Sequence, residues 1–297
     1  MSSNIPLLTI GVPVHNGENH IIECLENLAN QNHQNFEVLV FENKSTDDTE
    51  QMVRDFCEKD TRFILYSSPE FLSMFDNFLR AFKGASNRGD FFALRAYDDF
   101  SSADYFDLLT KALIEQPTKA LATSSVQMFE HSDGFGKAIE PKELAVDVQI
   151  LLPENWGAFD RPFKRIVFPA SWFYGVYRSS SSQTIFDALR NYPNMWAGDR
   201  LIVLCYLFAQ KLAFVSAATF FCRSGSASYE NYTEKGVARK IRARTRYFKN
   251  IWPHHVALRK KGDFSSWAYF MLCYKTSASD TTYSIENIIK SVLRIKK

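Results

Sequence analysis

Two adjacent acids, Asp98 and Asp99, end the apolar run FFALRAYDDF at residues 91–100. Neighbouring carboxylates repel, and both need solvent, hydrogen-bond donors or a cation. A hard divalent cation such as Mg²⁺ or Mn²⁺ takes oxygen ligands, typically one or two carboxylates completed by substrate phosphates. An acid pair at a strand end therefore suits a metal held against a diphosphate. The plainer alternative is a loop pair in which Asp99 caps the next helix. A second polar cluster, Glu42 to Asp48 (ENKSTDD), follows another apolar run. A carboxylate and an amide at such a strand end can hydrogen-bond a nucleotide's ribose or base, although a solvated capping turn accounts for the same residues. A third acid, Asp199, stands in WAGDRLIVLCYLFA just before an apolar helical run. It is either a helix cap and dipole partner or a base that takes the proton of a sugar hydroxyl.

The elements that must carry these groups follow from periodicity. Apolar runs at 7–14, 36–41, 63–68 and 91–97 read as strands. Helical spacing follows at 20–30, from the N-cap signal after Asp47-Asp48 to about Cys57, at 75–82 and at 103–114. Strands alternating with helices predict an α/β fold with an open, mostly parallel, doubly wound sheet. Such sheets bind ligands outside the carboxyl ends of their strands. Parallel strands would bring Pro13 to Asn16, Glu42 to Asp48 and Asp98-Asp99 to one edge. From 118 to 182 the pattern is irregular, with strand-like pieces KALATSSVQMF and FPASWFYGVYR. Helices are expected at 184–190 and 199–209, a strand at LAFVSAATFFCR, and a basic helical tail from 226 onward. Neither G-x-G-x-x-G nor G-x-x-x-x-G-K-[ST] occurs, which excludes both glycine-rich phosphate cradles.

Composition narrows the class. A chain of 297 residues suits one large α/β domain or two modest ones. The net charge of +2 makes no case for nucleic acid. Five scattered cysteines, with no C-x-x-C pair, fit reduced, mostly buried thiols better than disulfides or a zinc site. The start, MSSNIPLLTIGVPVHN, lacks the basic and long apolar regions of a signal peptide. The longest apolar stretch, Leu201 to Val215, is interrupted by Gln210 and Lys211, so no membrane span is expected. A cytoplasmic protein is expected, at most peripheral at the inner face of the membrane. His131, His254 and His255 show no metal-ligand spacing. Arg95, inside the fourth apolar run, either reaches a phosphate or forms a buried structural ion pair.

In order, TIGVPVHN, VLVFENKSTDDT, FDNFLRAFKGA, FFALRAYDD, WFYGVYR, WAGDRLIVLCYLFA and FFCRSGSAS resemble the family 2 glycosyltransferases with the GT-A fold. The resemblance covers roughly residues 6 to 228 and leaves the tail outside. It implies a nucleotide-diphospho-sugar donor, a divalent metal (Mn²⁺ or Mg²⁺) and an inverting hexosyl transfer. On this footing Pro13, Val14, His15 and Asn16 line the nucleotide pocket. Glu42 and Asn43 stand where the family has acids that meet ribose and base, and Asn77 falls among the donor-binding positions. Asp98 and Asp99 match the DXD-type signature, with Asp99 as the direct metal ligand and Asp98 as partner of the ribose or of a metal-bound water. Asp199 resembles the general base, flanked by acceptor-side candidates Trp196 and Arg200. The chain departs from the pattern at Ala96, where another acid is common, at His15, where Tyr is usual, and at Asn43. The last replaces an acid that often reads uracil, so a UDP-sugar is only slightly favoured over dTDP- or GDP-sugars.

The resulting expectation is a nucleotide-sugar-binding half at 1–100, an acceptor-binding half at 101–228 and a helical basic extension at 229–297. By family analogy the acceptor is a glycan or lipid-linked glycan in bacterial surface polysaccharide or lipopolysaccharide synthesis. Two other classes stay open. A sugar-nucleotide nucleotidyltransferase also uses paired acids and a metal, but the loop HNGENH lacks the Lys or Arg usual there. An inactive nucleotide-sugar-binding scaffold would not need Asp98, Asp99 and Asp199 together. The tail segment VARKIRARTRYFKNIW (237–252) is either a solvated helix face or an amphipathic helix contacting anionic lipid.

Overall fold

The computed structural model describes residues 5–129, 142–143, 168–192 and 198–223, together with positions 242, 245–246 and 249 of the tail. The unbroken apolar run LTIGVPV forms β1 (Leu8–Val14), buried at all seven positions. Burial on both faces is the signature of a central parallel strand. β2 (Phe36–Glu42) lies parallel to β1 along its whole length, with Leu8 opposite Phe36 and Val14 opposite Glu42. β3 (Phe63–Ser67) adds parallel to β2, and its pattern opens toward solvent as an edge strand should. On the other side of β1 lies β4 (Phe91–Leu94), also parallel.

The connecting helices α1 (Ile21–Ala29), α2 (Thr49–Lys59) and α3 (Met74–Ser86) are amphipathic and cover the sheet, giving the expected βαβ alternation. α3 comes close to β1 at Gly11. A methyl group there would sit 2.8 Å from Leu94 Cδ2 and 3.1 Å from the Ala81 carbonyl oxygen.

The second half extends the same sheet. After β5 (Phe100–Ser101) and α4 (Tyr105–Glu115) come β6 (Leu121–Phe129), β7 (Lys142–Glu143), β8 (Val176–Arg178), α5 (Ser182–Asn191), α6 (Gly198–Phe208) and β9 (Leu212–Arg223). The strand order is β3-β2-β1-β4-β8-β6-β9-β5, with β7 beside β6. β6 and β9 run parallel to each other, whereas β8 is antiparallel to both β4 and β6. The sheet is thus mixed, and it is continuous between the two halves. One core runs through it and includes Ile10, Phe82, Phe92, Trp172, Val176, Ile202 and Phe220.

Two expectations are corrected. The fourth strand was read through Tyr97 but ends at Leu94. Arg95 still donates its N–H to the Gly11 carbonyl at 2.9 Å, after which the chain turns, with Asp99 N–H reaching Ala96 O at 3.3 Å. The piece FPASWFYGVYR is not one strand. Ala170–Tyr174 form a 3₁₀ helix begun by Pro169, and only Val176–Arg178 pair in the sheet. Buried aromatics at Trp172 and Phe173 made this helix look like a strand.

In the tail, Arg242, Thr245, Arg246 and Lys249 are helical and exposed, and the remainder of the basic segment lies outside the described residues. Among the described residues no helix is long and apolar enough to cross a membrane. Cys24, Cys57, Cys205 and Cys222 are free thiols, the first and third of them buried, and Cys273 lies outside the described residues.

Candidate active site

β1, β2 and β4 are adjacent and parallel, so their carboxyl ends share one edge, where the three polar clusters meet. The loops leaving β1 and β2 are clasped together. Asn43 N–H donates to Val14 O at 3.0 Å, and His15 Nδ1 lies 3.0 Å from the Asn43 carbonyl oxygen. Asn16 adopts a left-handed backbone (φ 51°), and its Oδ1 accepts the Thr46 N–H at 2.8 Å. Gly17 N–H donates to Thr49 Oγ1 at 2.7 Å. Pro13 and Val14 are buried within β1 opposite Phe41 and Glu42.

The donor-binding candidates differ in what their side chains have left to offer. Glu42 is fully buried; one carboxylate oxygen accepts the Ser45 N–H at 2.5 Å, and the other, Oε2, has no hydrogen-bond partner among the described residues. A buried acceptor left unmatched is costly and marks a place where a hydroxyl would be welcome. The Asn43 amide is already committed. It accepts the Leu72 N–H at 2.8 Å and donates to the Leu72 carbonyl at 2.9 Å, fastening the loop between β3 and α3. Asn77 donates to Phe41 O at 3.0 Å. Arg80 caps the ends of β2 and β3 through Glu42 O (3.2 Å) and Tyr66 O (2.8 Å). Phe71 is 61% exposed on the fastened loop and meets His15 edge-on, with ring centroids 4.9 Å apart.

Asp98 is half-buried in the turn after β4, and Asp99 is buried. Burial raises the carboxyl pKa of both. For Asp99 the neighbouring Asp98 charge adds to that effect and its pKa reaches about 7. Arg223, the last residue of β9, grips this turn. Its backbone N–H donates to Asp99 Oδ1 at 2.8 Å and its Nε to the Asp98 carbonyl at 3.0 Å. The guanidinium packs against the Phe100 and Phe129 rings and reaches Glu23 Oε2 at 3.2 Å.

Asp199 occupies the first turn of α6, where its Oδ1 accepts the Arg200 N–H at 2.6 Å. It borders an apolar cleft lined by Phe75, Phe78, Phe173, Leu189 and Ile202. Tyr174 ties this side to the acid pair. Burial first, and then the charges of Asp99, Asp98, Cys222 and Asp199, push its phenol well above the ordinary tyrosine range. The phenol thus feels both the acid pair and Asp199. Arg200 is half-buried beside Asp199, and Trp196 lies outside the described residues. Tyr174 and Arg223 were singled out by no sequence signal. Each is brought to the acids by β8 and β9 pairing across long separations, and FFCRSGSAS marked only the segment.

The acid pair fits a divalent cation by its chemistry. Among the described residues no group of three or more His, Cys, Asp or Glu side chains forms a protein-only metal cage. Two carboxylates supply part of a hard cation's shell and leave the rest to phosphate oxygens and water. The raised carboxyls of Asp98 and Asp99 are what a nearby positive charge would relieve.

A mixed sheet with an acid turn at the centre of its carboxyl edge defines a GT-A-like domain, and comparison with known proteins agrees. The glycosyl transferase family 2 model matches residues 9–181, more than half of the chain, and the chain belongs to that family. It is 31% identical over 131 residues to glycosyltransferase GlyA of Streptococcus pneumoniae, a match covering 43% of this chain and 18% of that much longer protein. The S. aureus TarS fragment 1–349, solved with UDP, superposes with a TM-score of 0.62 at 16% identity, over 97% of this chain and 75% of that one. A mannosyltransferase from Pyrobaculum calidifontis, solved with GDP-Man and Mn²⁺, gives 0.55 at 14% identity, over 93% of this chain and 70% of that one. At these identities the superpositions speak for the fold.

Proposed function

We propose that the chain is a metal-dependent, inverting hexosyltransferase that moves a sugar from a nucleotide-diphospho-sugar to a glycan or lipid-linked acceptor. The observation that carries this reading is the sharing of one sheet edge by the acid turn Asp98-Asp99 and the nucleotide-side loops of β1 and β2, in a chain of the glycosyl transferase family 2. Pro13 to Asn16, Glu42 and the turn at Asp98 form the donor side. The unmatched Glu42 Oε2 is suited to a ribose hydroxyl. Asp98 and Asp99 would hold Mn²⁺ or Mg²⁺, which when bound stabilises the charge growing on the departing diphosphate.

Asp199 works on the acceptor. An acceptor hydroxyl attacks the anomeric carbon as its proton passes to the Asp199 carboxylate. The bond from that carbon to the diphosphate oxygen breaks, and the nucleoside diphosphate leaves with the electron pair. A single displacement inverts the centre and needs no carboxylate nucleophile, unlike a retaining hydrolase with its close carboxyl pair. Synthesis of a bacterial surface polysaccharide is the setting that family analogy favours. The test is thermal stabilisation by UDP, GDP and dTDP with and without Mn²⁺, followed by transfer assays with the matching sugars. If no nucleoside diphosphate raises the melting temperature with Mn²⁺, the donor site is refuted.

A further inference from the structure

Arg95 has no part in the reaction above, yet its placement demands a reason. Its side chain has no exposure to solvent. Nη2 donates to Ser101 Oγ at 2.8 Å, while Nε and Nη1 have no hydrogen-bond partner among the described residues. Among the described residues no carboxylate forms an ion pair with it. Three rings surround its Cζ instead: Tyr105 and Phe106 at 5.4 Å and Phe220 at 4.8 Å. Aromatic faces attract a cation but accept no ordinary hydrogen bond. An interior guanidinium with two unmatched donors is a poor way to stabilise a fold, and apolar replacements of similar volume are often neutral or better.

The Arg95 hydrogen bond to Ser101 instead spans the turn that carries Asp98 and Asp99, so the guanidinium is fixed beside that turn. Its charge and that of Asp99 are felt by one another, opposing the effect of burial on the carboxyl. Phe220 stacks on Tyr174 with centroids 5.4 Å apart, so the aromatic cage of the cation is continuous with that ring.

We propose that Arg95 is a positioning residue with an electrostatic task. It is a resident positive charge fixed beside the acid turn that weakens the turn's hold on a lone divalent cation and favours the approach of a diphosphate. The proposal rests on the donor-site reading above. Two bare carboxylates would bind a cation by themselves and repel the anionic donor. A fixed cation in the unscreened interior shifts that balance, so that metal and diphosphate are taken together.

The test compares Arg95→Met, Arg95→Gln and Arg95→Lys with the unaltered full chain. Calorimetry measures the affinity for Mn²⁺ alone, and for UDP alone in the presence of a chelator. The neutral variants should bind Mn²⁺ more tightly and UDP more weakly, each by about tenfold. Their melting temperature should hold or rise, and Arg95→Lys should keep both affinities near the original. Opposite shifts are the signature, because a merely loosened site weakens both ligands. If both affinities fall together, or neither moves, the inference is overturned. It is also overturned if neither neutral variant folds, since Arg95 would then be structural. If the unaltered chain binds neither Mn²⁺ nor UDP, the donor-site reading itself fails and takes this inference with it.

Discussion

Asp99 and Arg223 are 124 residues apart in sequence, yet the Arg223 backbone N–H donates to Asp99 Oδ1 at 2.8 Å. The acid turn after β4 is therefore held by the far end of β9, and Asp99 has two tasks that substitution can separate. Asp99→Asn keeps an oxygen for the Arg223 N–H but removes the charge. It should unfold in urea close to the unaltered chain and lose the Mn²⁺-dependent stabilisation by UDP. Asp99→Ala should lose that stabilisation and also about 1–3 kcal/mol of folding stability, because a buried N–H is left unmatched. If Asp99→Asn retains the Mn²⁺-dependent shift, Asp99 is not a metal ligand.

Asp199 sits in the first turn of α6, beside the apolar cleft. Its predicted work is confined to the acceptor. Asp199→Asn should lower the rate of transfer by about 10²–10⁴-fold, the usual contribution of a positioned base, and leave donor affinity unchanged. Full transfer activity in this variant, with donor bound normally, would remove Asp199 from the mechanism.

The parts of this site legible from sequence are those built by local order. Strand, polar loop and helix recur from Leu8 to Ser86, and parallel pairing turns that recurrence into a shared edge. Asp98, Asp99 and Asp199 stood out because acids are rare at the ends of apolar runs. Non-local contacts left no such trace. Arg223 reads as a strand's terminal residue until β9 pairs with β6 and β5 and delivers it to the turn. Tyr174 lies in a 3₁₀ helix whose aromatics imitate a strand. Arg95 reads as either a phosphate contact or half of a buried ion pair; it is buried, and among the described residues a cage of rings drawn from α4 and β9 stands where a carboxylate partner would. Asn43 shows the converse: its position is where expected, but its amide is spent on Leu72.

That amide pairing yields a prediction of its own. Only a side chain with one acceptor and one donor can match both the N–H and the carbonyl of Leu72. Aspartate would set an oxygen against the Leu72 carbonyl. Asn43→Asp should therefore cost about 1–3 kcal/mol in urea unfolding, from a repelled and unmatched buried carbonyl. It should also release the loop bearing Phe71, which chymotryptic cleavage under native conditions would detect as a new early site at Phe71 or Leu72. Equal stability and an unchanged cleavage pattern would show that the two contacts with Leu72 are dispensable.

The thiols set the response to alkaline pH. Burial pushes both Cys24 and Cys205 from an ordinary value of 9.0 up to about 12. The folded chain then keeps protons that the unfolded chain releases between about pH 9 and 12, so stability falls as pH rises through that window and is untouched by these groups below it. Replacing both residues with alanine should shrink, without abolishing, the difference in urea midpoint between about pH 8 and about pH 10.5, because burial also raises Cys57 and Cys222. The same burial predicts the order of alkylation by iodoacetamide near neutral pH. Half-buried Cys57 should react in the native chain, whereas Cys24 and Cys205 should react only after denaturant is added. Mass spectrometry of the labelled peptides distinguishes them, and rapid native labelling of Cys24 would contradict its place in the closed core beneath the Ala96 carbonyl.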